Sequence, residues 1–284
     1  MGDEQRRAEL ADFLKTRRLA LQPGGAGLKT SGRRRTPGLR REEVADLAGV
    51  SVSWYTWLEQ GRPVRASEQA LDAIRAALRL DADGQEYLRA LGRQEGQAAA
   101  SPVQEVRPAT LRLIEAQDPA PAYVLGPRFD LLAWNAATTA VYGDFGALPP
   151  GRRHVLWLLF GESRMRRLIV NWEPNARYVL AAFRARTARY VDEPWYPVLV
   201  GELRRASGEF RAWWACHEVG HRPVGHKVLA HPVVGRLMLE QSALAVDDCS
   251  GQLVILYTPQ DRPDAEKLAT LAARRGAYTS PTGP

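Results

Sequence analysis

Cysteine is nearly absent from this chain: Cys216 and Cys249 are the only two among 284 residues. A disulfide scaffold is excluded, and both thiols are expected to stay reduced in a cytoplasm. Long apolar runs are missing too. The stretch from Val155 to Phe160 is among the longest and falls far short of the roughly 20 residues a membrane span requires. The first nine residues carry charges of both signs and no apolar signal core, so a cytoplasmic protein without a membrane partner is expected. Catalytic signatures are equally scarce. There is no P-loop, no GxGxxG after a strand, no GxSxG and no HExxH, and an enzyme is not expected.

What is present describes a folded chain. An apolar fraction of 45% with 25% charged residues is that of a globular protein, and the length allows two domains, each with its own core. The formal charge is +7. Its placement is more telling than its size, because Lys29, Arg33, Arg34, Arg35, Arg40 and Arg41 follow one another with no acid between them. A solvated loop explains such a run; so does an anionic partner.

Residues 1–95 read as helices with short connections. Leu10, Phe13, Leu14, Arg17 and Leu21 recur at helical spacing, QPGGAG (Gln22 to Gly27) ends that helix, and further helices are predicted near 40–48, 51–60, 67–79 and 83–92. Residues 96–108 break every pattern and read as a linker. Residues 109–276 read as a second domain and 277–284 as a tail. In the second domain a hairpin is predicted around Gly126-Pro127, with Asn135 capping the helix that follows and Ser207 capping the helix that carries EFRAWWACHEV. Strands return at Lys227 to His231, Val233 to Leu244 and Gln252 to Tyr257, before a helix near 263–273. Strands, then helices, then strands imply an α+β domain with an antiparallel sheet.

The stretch EEVADLAGVSVSWYTWLEQGR, Glu42 to Arg62, has the form of a helix-turn-helix. Two helices that cross steeply over a short turn need small side chains at the crossing, and Ala45 and Gly49 supply them. Val44, Leu47 and Ala48 are expected to face inward from the first helix, and Val50, Tyr55 and Leu58 from the second. Ser51, Ser53, Trp54, Thr56 and Trp57 then form the outer face, with Ser51 as its cap. Two ordinary helices of a bundle would share this small-residue spacing.

LRREEVADLAGVSVSWYTWLEQGR resembles the helix-turn-helix of Xre-type bacterial regulators. The longer GRRRTPGLRREEVADLAGVS, with WACHEV (Trp214 to Val219) and HPVVGRLMLE (His231 to Glu240), is similar to the subgroup whose second half is an MmyB-like ligand-binding domain. The resemblance implies a mainly α helix-turn-helix domain joined to a PAS-like domain, and a transcription regulator that binds double-stranded DNA. A small-molecule effector is implied as well, with a fatty acid or another small amphipathic molecule as candidate and no other cofactor. Arg33, Arg34, Arg35 and Arg41 are then expected to hold phosphates, with Ser51, Ser53, Trp54 and Thr56 in the major groove. Two departures stand out. Arg40-Arg41 replaces the usual Thr-Gln, so the cap must come from elsewhere, and Trp57 stands where arginine is frequent. Trp57 is left to pack on a sugar, a thymine methyl or a neighbouring helix. One such unit makes a small interface, so a homodimer on a two-fold site is expected.

His217, His221, His226 and His231 crowd one segment beside Cys216. Their spacings cross a Pro-Gly turn and match no standard zinc pattern, so no metal is assigned. The resemblance implies a pocket between sheet and helices. Its candidate lining is Trp134, Phe183, Trp213, Trp214, Leu237 and Met238, with His217 as a polar anchor, and plain core packing is the alternative for each aromatic. The second domain also admits a different reading, in which it serves only as a dimerisation or protein-partner module.

Overall fold

A computed structural model describes residues 2–28, 38–92, 105–219, 226–247 and 251–278. Lys29, Arg33, Arg34, Arg35, His221 and Cys249 lie outside the described residues. The chain forms two compact units, neither from one continuous stretch: residues 1–100 with 180–221, and residues 101–179 with 222–284. The expected limits follow chain order, whereas residues 180–221, from within the second sequence domain, pack in the unit of the N-terminal helices.

In the first unit α1 (Gly2–Ala20) buries Leu10, Phe13 and Leu14, three positions of one helical face. Asp3 and Glu4 in its first turn and Arg17 and Arg18 in its last suit the helix dipole. A short 3-10 turn, Pro23–Ala26, follows. Gly38 brings the chain back against the end of α1 at φ +74°, where a Cβ would collide with the carbonyl of Leu19. Next come α2 (Arg41–Ala48), α3 (Val52–Glu59), α4 (Glu68–Ala77) and α5 (Ala82–Gly92). The cap that α2 lacks in its own sequence position comes from Glu43, whose Oε2 accepts the Arg40 N–H at 2.7 Å. Ser51 and Ser67 cap α3 and α4, each at 3.2 Å.

Residues 180–221 add an aromatic core to this unit. The helix Trp172–Thr187 places Phe183 on Tyr196 of the helix Trp195–Ala206, with stacked rings 6.0 Å apart. Phe210 stacks on Trp214 at 5.4 Å within the helix Gly208–Ala215, which Ser207 caps by accepting the Phe210 N–H at 3.1 Å. That helix ends earlier than its sequence suggests. His217 has φ +48° and stands beyond it.

The second unit is built on five strands, β1 (Ala122–Leu125), β2 (Leu131–Trp134), β3 (His226–His231), β4 (Gly235–Ala245) and β5 (Leu253–Pro259), in the order β2-β1-β5-β4-β3. Every neighbouring pair is antiparallel, which gives the PAS-like sheet. β4 starts two residues later than predicted, because Pro232 to Val234 form the turn from β3. The helix Pro108–Glu115 covers one face, where Ile114 packs with Ala122, Val124 and Val254. Asn135, between β2 and the helix Ala136–Tyr142, is 3% exposed and fully committed. Its Oδ1 accepts the N–H groups of Ala122 and Thr138, each at 3.0 Å, and its Nδ2 donates to Ile114 O at 3.1 Å and Ala120 O at 2.8 Å. Asn135→Ala leaves these groups unsatisfied in a dry interior, which costs about 1–3 kcal/mol for each group stranded. The variant is expected to unfold its sheet unit at clearly lower urea, read by tryptophan fluorescence, whereas the exposed substitution Thr258→Ala leaves the midpoint unchanged.

Candidate nucleic-acid interface and sensory cavity

Val44, Ala45 and Ala48 of α2 and Tyr55 and Leu58 of α3 are buried, as expected. Leu47 departs from the expected inward set. It is 40% exposed, off the face of α2 that carries the buried Val44, Ala45 and Ala48. Gly49 closes α2 at φ +64°, and its N–H reaches Asp46 O at 3.2 Å.

A buried carboxylate fixes this arrangement. The Glu59 side chain at the end of α3 has no solvent contact, and Arg18 of α1 grips both its oxygens, Nε to Oε2 at 2.7 Å and Nη2 to Oε1 at 2.6 Å. Arg41 of α2 adds Nε and Nη2 contacts to Oε1 at 3.0 and 2.9 Å. The third donor of Arg18 satisfies Leu39 O at 2.8 Å. Burial alone pushes the Glu59 carboxyl up, but the two guanidiniums outweigh it and hold the group below the usual carboxylate range. Arg41, expected at a phosphate, turns Nε and Nη2 to Glu59. Its side chain remains 43% exposed.

On the outer face Ser51 and Ser53 are exposed, Thr56 is half-buried and Trp57 is 43% exposed. Trp54 turns aside, with Nε1 donating to Arg65 O at 3.3 Å. Val52, absent from the expected set, is 39% exposed. Arg62 and Arg65 follow α3 directly and line a cleft of about 200 Å³ with Arg6 and Arg7 of α1. The signal for them was GRPVR, next to the helix-turn-helix and overshadowed by the larger basic run before it.

The expected sensory residues divide between the units. Phe183, Trp213, Trp214 and His217 belong to the first, and Trp134, Leu237 and Met238 to the second. Phe183 and Trp214 are core aromatics, with the fully buried Arg184 guanidinium 4.1 Å over the Trp214 ring. Trp213 is half-buried. His217 is 6% exposed; its carbonyl accepts from Arg17 Nη2 at 2.7 Å, and its Nδ1 stands 4.0 Å from Glu9 Oε2. Burial, with the charges of Arg184 and Arg17, pushes the His217 imidazole down to about 3, so it is neutral at physiological pH. In the sheet unit Trp134 meets Phe145 edge-on at 5.5 Å, Leu237 is fully buried, and the Met238 N–H donates to Asp264 Oδ2 at 3.2 Å.

The other histidines act separately. His226 is exposed, whereas the His231 ring lies 3.3 Å from Ala140 O through Nε2 and accepts the Val233 N–H at 3.2 Å. Among the described residues no group of three or more His, Cys, Asp or Glu could hold a metal ion, and no helix is long and apolar enough to cross a membrane. His231 borders a cavity of about 370 Å³ that sequence reasoning missed. Val141, Tyr142, Leu168 and Pro232 give it apolar walls, and Arg164 and Arg167 stand at its edge. Neither arginine is paired with a carboxylate among the described residues. Gly143, at φ +84°, leaves the space over which the Arg164 guanidinium lies.

A helix-turn-helix unit and an antiparallel sheet with a cavity are the two parts of a DNA-binding regulator with a ligand-binding domain. Comparison with known families agrees for both parts: residues 9–88 match a helix-turn-helix domain, and residues 106–271 match the MmyB-like transcription regulator ligand binding domain. The chain belongs to this MmyB-like family of transcription regulators, and it is a DNA-binding transcription regulator with a ligand-binding domain. No curated protein matches the chain.

Glu59→Gln tests the carboxylate directly. Removing one member of a buried ion cluster costs about 3–5 kcal/mol, so the variant is expected to melt well below the wild type at pH 7. Since the folded-state pKa lies below its unfolded value, the stabilisation is complete above the ordinary carboxylate range and is lost as pH falls through the folded value. Melts recorded from pH 7 to pH 3 should converge for the two proteins; a constant gap would mean that the charge of Glu59 is not what holds the helices.

Proposed function

We propose that this protein is a homodimeric, ligand-responsive regulator that binds a two-fold DNA site and responds to a small amphipathic anion such as a fatty acid. The cavity of the sheet unit carries the reading. Apolar walls with Arg164 and Arg167 at the edge, neither paired with a carboxylate among the described residues, suit a molecule with a carboxylate head and an alkyl body, and the basic cleft of Arg62 and Arg65 suits DNA phosphates beside α3. On this reading His217 serves the link to α1. Arg17 and Glu9 of α1 meet it, and Arg6 pairs with Asp192 at 3.3 Å, so part of the ligand-binding family region is tied to the helix that grips Glu59.

Signalling then requires only that the ligand prefer one arrangement of these contacts. A tenfold change in DNA affinity corresponds to about 1.4 kcal/mol of coupling. Exposed Leu113 and Leu244 on the sheet unit favour a second reading, in which this unit serves dimerisation alone. Native mass spectrometry of protein purified from its host, followed by solvent extraction, reads both subunit number and bound molecule. Under the sensory reading myristate raises the melting temperature with concentration, and Arg164→Ala with Arg167→Ala weakens that response about tenfold. A ligand-free dimer indifferent to myristate and shorter acids supports the dimerisation reading instead.

A further inference from the structure

The face that α3 turns outward has no side chain able to form a two-point hydrogen-bonded pair with a base. From Ser51 to Glu59 the sequence contains no arginine, lysine, asparagine or glutamine. Its one charged side chain, Glu59, is sealed between Arg18 and Arg41, and the Trp54 N–H is taken by Arg65 O. What remains is apolar or hydroxylic: Val52 at 39% exposure, Trp57 at 43%, Ser53 and Thr56. Gln60 follows the helix, about 12 Å along its axis from Val52, away from the first turn that meets base edges in this motif.

Guanine is read by arginine or lysine and adenine by asparagine or glutamine, each through paired donors and acceptors, whereas a hydroxyl accepts any partner. The one base feature that rewards an apolar side chain in the major groove is the methyl group of thymine. An exposed β-branched residue at the first position of α3 costs solvation when free and regains it on such a methyl. On the DNA-binding reading, we infer that α3 recognises its half-site through thymine methyl groups, with Val52 as the specificity-determining residue. Guanine and adenine edges are not its targets.

The full-length protein should first be used to select sites from a random duplex library. The enriched site is then resynthesised with deoxyuridine in place of each thymine in turn, which removes one methyl and no hydrogen bond. Binding is expected to weaken about fourfold at one or two positions, the factor for one buried methyl-sized group. Val52→Ala should lose this sensitivity at one position and keep the wild-type salt dependence; Val52→Ile should retain it. 5-Methylcytosine should restore part of the affinity that cytosine loses at the same position. Tolerance of deoxyuridine at every position, or an unchanged profile in Val52→Ala, overturns the inference while leaving DNA binding intact. Failure to enrich any site strikes the DNA-binding reading itself.

Discussion

Everything in the helix-turn-helix depends on one buried carboxylate. Glu59 has no water to solvate it, so its charge persists only while Arg18 and Arg41 are both in place. These partners come from α1 and α2, and the crossing of three helices is thereby tied to a single point at the end of the third. The cost of burying a charge gives the motif its rigidity, because any slip of α2 against α3 would strand a guanidinium or an oxygen. Arg41 takes part in this clamp with a side chain that is still 43% exposed.

α1 faces two ways. Arg18 at its end serves Glu59, while Glu9 and Arg17 on another face meet His217 and lie in the field of Arg184. Glu9 is pushed up by burial, an effect that the charge of Arg184 opposes, and His217 is pushed down. The two side chains stand 4.0 Å apart, Glu9 Oε2 to His217 Nδ1.

Local features were legible in the sequence. Ser51, Asn135 and Ser207 cap the helices expected of them, and Ala45 with Gly49 marks the turn, because caps and turns are decided within about four residues. The strand pattern and the α+β order were readable for the same reason. Long-range pairings were not. The clamp joins residues 41 and 18 apart in sequence, and no periodicity announces that Arg41 will turn towards Glu59. Apolar spacing says that Phe183 and Trp214 are buried and not against what; their partners are Tyr196, Phe210 and Arg184. The cavity edged by Arg164 and Arg167 left no motif at all.

The discontinuous make-up of the first unit bears on how the protein is made. A ribosome delivers the chain from its N-terminus, and domains ordinarily fold as they emerge. Here the five N-terminal helices leave the ribosome about 90 to 120 residues before the aromatic core that Phe183 and Trp214 contribute to the same unit. A nascent chain thus displays DNA-contacting helices whose support is still unmade, and the regulator becomes whole only when its own ligand-binding region has been synthesised.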